Sequence, residues 1–275
     1  MTGSVRAELL ILRRRASTWI LLAIWVVLAI VFAYAVPYAT YLDGPGERPP
    51  AELLPQQLVG ALMGGFPFFG GVLALVLGVL SFGSEYTWGT VKTLLTQRPG
   101  RLRVFAAKLI GLAVALVPFV LAVFAAGALA SAGVAFREGA DMAWPSAWLL
   151  VRALAAAWLV LAVWAALGVL LGVVSRGTGL AVGIGILYAL VIEGLLSALA
   201  SQVSVLDRLV ELFVRANAYS LAVVLGASSE DAADNGPGSF SGPFVDGWQA
   251  VVVLAAYTVA FLFAAGWLVR RRDVA

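Results

Sequence analysis

Apolar positions along this chain gather into long uncharged runs, with neither the period-two alternation of strands nor the amphipathic spacing of soluble helices. A bilayer core takes about 20 residues of helix to cross. Six runs approach or exceed that length and predict spans at about 16–36, 62–83, 105–135, 146–174, 178–201 and 247–269. The expectation is an all-α integral membrane protein in which 1–275 forms a single transmembrane domain. The first run contains Ala33-Tyr34-Ala35, a small-x-small pattern that resembles a cleavage site. The run from Ala16 to Val36 is longer than a signal-peptide core of roughly 7–15 residues, so it is read as a retained span.

The stretches between the runs differ from one another. Ser4 to Arg15 puts Val5, Leu9 and Leu12 on one helical face and Arg6 and Arg13 on another. That division predicts a short amphipathic helix lying in the membrane interface. Residues 85–108 are polar and basic. Within them Val91, Leu94 and Leu95 recur at helical spacing until Pro99 stops the pattern. Arg176-Gly177-Thr178-Gly179 predicts a tight turn. The 202–246 stretch is longer than a simple connection requires. It holds an apolar stripe (Leu206, Leu209, Val210, Phe213), a second apolar stretch from Tyr219 to Leu225, and a Gly-rich polar loop from Ser228 to Gly242.

Composition agrees with the pattern: 62% of residues are apolar and 12% charged, against roughly 45–50% and 25% in soluble domains. Charge placement then sets orientation. Putting the N-terminus, the 84–108 segment, the 175–178 turn and the C-terminus on one side collects Arg6, Arg13–Arg15, Lys92, Arg98, Arg101, Arg103, Lys108, Arg176 and Arg270–Arg272 there. That is thirteen of the eighteen basic residues, accompanied by only Glu8, Glu85 and Asp273 among the acids. The positive-inside rule makes this side cytoplasmic, with both termini on it. A bacterial inner membrane is the expected location.

The chain has no cysteine and no histidine. Disulfides, thiolate or imidazole metal sites and His-dependent nucleophiles are thereby excluded. A membrane-embedded enzyme would need clustered carboxylates, and the acids here are scattered through loops. The only lysines, Lys92 and Lys108, follow Val91 and Ala107. No Gly-Lys-[Ser/Thr] phosphate loop exists, and the chain does not itself hydrolyse ATP. Two charges fall at membrane depth. Arg152 lies ~9 Å and Glu193 ~12 Å inside the outer ends of antiparallel neighbouring helices. That depth predicts an Arg152–Glu193 ion pair, structural or gating. Gly168-x-x-x-Gly172 and Gly179-x-x-x-Gly183 permit close helix contact, and Pro67 and Pro118 predict kinks.

The run Gly83-Ser84-Glu85-Tyr86-x-Trp88-Gly89-Thr90-Val91-Lys92-x-Leu94-Leu95-Thr96 resembles the signature after the second helix of ABC-2 type transporter permeases. Val5-Arg6-x-Glu8-Leu9-x-x-Leu12-Arg13-Arg14 and the closing Arg271-Arg272-Asp273-Val274 resemble that family too. The resemblance implies a cytoplasmic coupling helix between spans two and three. Glu85, Tyr86, Trp88, Thr90 and Lys92 would there contact a separate ABC ATP-binding subunit. It implies that the N-terminal helix, with Arg6, Glu8 and Arg13, also faces that ATPase, and that extracellular re-entrant helices lie between spans five and six. It further implies a second permease copy or paralogue as partner, with ATP and Mg on the ATPase and no cofactor on this chain. The partners are then the ATPase, that second permease and the lipid bilayer, with no nucleic acid. An exporter of a peptide, drug or lipid-like substrate is the leading function. An ion-coupled secondary transporter, or an immunity or regulatory membrane component, is the alternative.

Overall fold

A computed structural model describes residues 2–43, 51–87, 100–193, 195, 208–228, 240 and 243–271 of the chain. Every regular element among them is helical, and no strand occurs among the described residues. The first helix, α1 (Thr2–Arg14), is followed after Arg15 by α2 (Ala16–Asp43). The expected first span closes at Val36, just before Pro37, but α2 continues through that proline. The helix takes a π-helical turn at Val31–Ala35 before it reaches the proline. Hydrogen bonds in such a turn reach one residue further back, which widens the coil just ahead of the ring that lacks an N–H.

Two short 3-10 turns, Ala51–Leu53 and Pro55–Gln57, lead into α3 (Leu58–Met63). A second π-helical turn, Phe66–Gly70, contains Pro67 and runs directly into α4 (Gly71–Thr87). Next come α5 (Arg101–Glu138), α6 (Ala147–Ser175) and α7 (Thr178–Leu187), the last continued by a π-helical turn at Tyr188–Ile192. Then follow α8 (Val214–Val224) and α9 (Gly247–Arg271). The α5 helix continues through Pro118 without a break and ends at Gly139, whose φ is 62°. This is the left-handed cap that glycine tolerates. At the start of α6 the Ser146 side chain accepts from the Leu149 N–H at 3.3 Å. Such an N-cap satisfies one orphan donor of the first turn. The other end of α6 closes on Arg176 at φ 53°, the predicted tight turn.

Among the described residues, five helices are long and apolar enough to cross a membrane: Ala16–Asp43, Phe66–Gly83, Leu102–Glu138, Ala147–Ser175 and Gly247–Arg271. For the expected span at 178–201 the described helix runs from Thr178 through Glu193, a length of ~24 Å. The remainder of that span, apart from Leu195, lies outside the described residues.

The bundle is built around α6. A side chain added to Gly168 would place its Cβ 2.1 Å from the Leu75 carbonyl oxygen, and one added to Gly78 would meet the Ala165 carbonyl at the same distance. The α4 and α6 backbones therefore touch directly, as small residues allow between membrane helices, where dispersion and close fit replace the hydrophobic drive. Of the two glycine pairs in the sequence, the one at 168 and 172 is used in this contact. A Cβ at Gly179 or Gly183 meets nothing within 4 Å. On the far side of α6, the Trp158 indole N–H donates to the Ala113 carbonyl of α5 at 3.0 Å. Two ends of the bundle result. Arg15, Gly83, Lys108 and Thr178 gather at the near end, and Tyr38, Glu138, Gly60 and Val224 at the far end.

Candidate functional site

At the near end α1 lies against α5. Its Val5 and Leu9 are half-buried and Leu12 is buried, whereas Arg6 and Arg13 are exposed, as the amphipathic pattern predicts. Glu8 departs from that simple division. Its carboxylate turns toward α5 and meets the Lys108 ammonium at 2.9 and 3.0 Å, with Lys108 only 5% and Glu8 13% exposed. Gly111, one turn beyond Lys108, gives α1 room: a Cβ there would sit 3.2 Å from that of Glu8. The Lys108 ammonium also lies 5.9 Å from the centre of the Phe82 ring, and Phe82 packs on Phe105 with ring centres 5.3 Å apart. One residue past α1, Arg15 donates to the Leu80 carbonyl at 2.8 Å.

These contacts join three elements at one place: α1, the start of α5, and the last turns of α4. That end of α4 is where the motif that runs from Gly83 to Thr96, overlapping the 84–98 segment, begins. The backbone of Glu85 and Tyr86 continues α4 past Leu80 to Thr87. Trp88, Thr90 and Lys92, and the expected coupling helix with them, lie outside the described residues. Composition marks Lys108 only as an orientation charge. Its role follows from burial, which a linear reading of charge does not provide.

The second polar cluster is near the far end. Glu193 is fully buried, immediately after the π-helical turn that continues α7. It accepts from the Tyr188 hydroxyl at 2.7 Å and from the Arg215 backbone N–H at 3.2 Å, and the Arg215 cation attracts its carboxylate. Arg215 is 5% exposed, and its guanidinium lies 5.5 Å from the Phe68 ring centre and 5.7 Å from that of Tyr219. The structure does not bring Arg152 and Glu193 together. Arg152 stands exposed on α6, and the cation at Glu193 comes from α8. Arg152 lies on the exposed face of α6, whereas Glu193 is buried.

Around this cluster every residue from Val214 to Ala222 is buried, Asn217 and Ser220 included. The Asn217 amide donates to the Glu211 and Phe213 carbonyls at 2.8 Å, and the Ser220 hydroxyl accepts from the Val245 N–H at 2.9 Å. Polar groups withdrawn from water are costly unless bonded, and these bonds let a mixed sequence sit inside the bundle. The α8 helix, which holds most of the apolar stretch from Tyr219 to Leu225, is enclosed by α9, α3, α6 and the Phe66–Gly70 turn.

Long apolar helices, a basic near end and short helices docked at each end define a multi-pass membrane protein. The family described as "ABC-2 family transporter protein" matches residues 4–274, nearly the whole chain, and the protein belongs to that family. It is therefore a permease subunit of an ABC transporter, a membrane transport component and not itself a catalyst, with an ATP-binding subunit as its family's partner. Among curated proteins, none matches the chain.

Proposed function

We propose that the protein is the membrane subunit of an ATP-driven exporter in a bacterial inner membrane, with six spans and both termini in the cytoplasm. A separate subunit binds and hydrolyses ATP with its Mg. In this reading the near end is cytoplasmic, α1 and the 84–98 segment receive that subunit, and a second permease copy or paralogue completes the path. At the other face α8 is the re-entrant element between spans five and six. The cargo is a peptide, a drug or a lipid-like molecule.

The observation that carries the proposal is the junction of α1, α4 and α5 through Glu8, Lys108, Phe82 and Arg15. A force applied to α1 or to the 84–98 segment passes there straight into two spans, which is what coupling to a remote ATPase needs. Arg6 and Arg13 remain exposed beside it and available to a partner.

Purification of the tagged protein from its native membrane, beside a Glu85→Lys variant, tests the reading. A P-loop ATPase recovered with the parent and depleted with the variant supports both the exporter and the docking segment. Recovery with both moves the contact away from Glu85. A chain that purifies alone in mild detergent defeats the exporter reading and brings the secondary transporter forward.

A further inference from the structure

A cleft of about 660 Å³ opens at the far end between α2, the 51–65 segment and α8. Small-molecule sites typically hold about 300–1,000 Å³. Along α2 the lining runs from Trp25 to Pro37, a distance of ~18 Å. Its walls are aromatic and aliphatic: Trp25, Leu28 and Phe32 face Phe68, Phe69 and Val223. The Phe32 and Phe69 rings stack with centres 4.8 Å apart. The cleft is thus long, and its aromatic and aliphatic walls are interrupted by polar groups, Gln57 and Ser228 among them.

Glu52 is exposed and is, among the described residues, the single formally charged one lining the cleft. Arg215 stands behind Phe68 and Tyr219, but the Glu193 carboxylate compensates it. An occupant therefore meets apolar side chains along much of its length and a carboxylate at the exposed edge. An anionic head would be repelled by Glu52, whereas a cationic head would be attracted to it while an aliphatic chain covers the apolar part of the lining.

We propose that this cleft is a binding site for a cationic amphiphile, its aliphatic tail lying between α2 and α8 and its head at Glu52. The site stands on the cleft alone and does not depend on the ATPase, so it and the exporter reading fail separately. Gly64 provides a clean way to fill it. It lines the cleft, its backbone is ordinary helix (φ −59°, ψ −30°), and a Cβ built on it meets nothing within 4 Å.

The test is a calorimetric titration of the full chain in phosphatidylcholine nanodiscs, with empty discs subtracted, using decyltrimethylammonium and decyl sulfate as probes. Saturable binding of the cationic probe is expected, about fivefold tighter than the anionic one, as a partly exposed ion pair allows. Glu52→Gln should remove that preference while keeping the binding. Gly64→Leu should weaken both probes about tenfold, the loss of ~1.4 kcal/mol of contact, at unchanged thermal stability. Repeating the titration with lysyl-phosphatidylglycerol in the discs separates the sources: competition identifies a membrane lipid, and its absence a free amphiphile. Equal binding of the two probes, no saturation, or indifference to Gly64→Leu overturns the proposal. So does a change of oligomeric state with Gly64→Leu in the absence of probe binding, which would make the cleft a subunit interface.

Discussion

The bundle carries a short helix docked at each end, and a carboxylate helps to hold each one. At the near end Glu8 of α1 reaches Lys108 of α5. At the far end Glu193, just beyond α7, accepts from the Arg215 backbone N–H on α8 and attracts its cation. The settings differ. The α1 helix keeps Leu10, Ile11, Arg6 and Arg13 exposed and rests on the bundle by one face. The α8 helix is enclosed on all sides from Val214 to Ala222. Glu193 has several partners and no access to water, whereas Glu8 keeps an exposed edge. A helix held by one face can tilt or slide when a partner pushes it. A helix welded by a dry polar cluster moves only with the spans around it. The two ends of one permease thus differ in how they hold their docked helix, by one face at the near end and on all sides at the far end.

Breaking the far cluster should have the largest effect. Glu193→Leu removes the acceptor that the Tyr188 hydroxyl and the Arg215 backbone N–H share, and with it the carboxylate that attracts the buried Arg215 cation. Breaking a buried pair by removing one partner costs about 3–5 kcal/mol. Equilibrium unfolding in mixed micelles should show a loss of that size, with α8 more accessible to proteolysis. A Glu193→Leu protein as stable as its parent would mean that apolar packing alone holds α8, and the comparison would collapse. The next effect is smaller. Tyr188→Phe deletes one hydrogen bond to the carboxylate, at 2.7 Å. By the same unfolding measurement it should cost about 1.5–3 kcal/mol, the range for bonds to charged groups.

Much of this architecture is legible in the sequence because bilayer physics acts on long windows. Run length and charge-free composition identify five of the spans, and α1 is visible from Val5, Leu9 and Leu12 against Arg6 and Arg13. The glycine pair at 168 and 172 is legible as a close contact, although the partner backbone at Leu75 and Val79 is not. The polar clusters are less legible. Arg152 and Glu193 are read as a pair from depth alone, but pairing also requires azimuth, and Arg152 is exposed on α6. The cation that attracts Glu193, Arg215, lies just ahead of the apolar stretch that begins at Tyr219, and nothing local ties it to Glu193. That stretch signals burial of α8, but not its partners α9 and α3, which are far away in sequence. Pro37 misleads for a similar reason, since the π-helical turn that accommodates it leaves no compositional mark.

The smallest stability effect, and the sharpest test of the comparison, belongs to the near end. Glu8 can rehydrate when Lys108 is removed, so Lys108→Met should cost only about 1–2 kcal/mol, between an exposed pair and a sealed one. A double-mutant cycle with Glu8→Gln and Lys108→Met should return a coupling of about 1 kcal/mol, measured by the same unfolding assay. Function should respond out of proportion to that figure. If α1 transmits motion into α5 through this pair, ATP hydrolysis by the assembled transporter should continue in either variant while its stimulation by substrate is lost. The charge-exchanged protein, Glu8→Lys with Lys108→Glu, should recover part of the stimulation because the attraction is restored with its ends reversed. Hydrolysis and stimulation that fall together, and only as far as stability falls, would make the pair a simple fastening. The near end would then differ from the far one in strength, and not in kind.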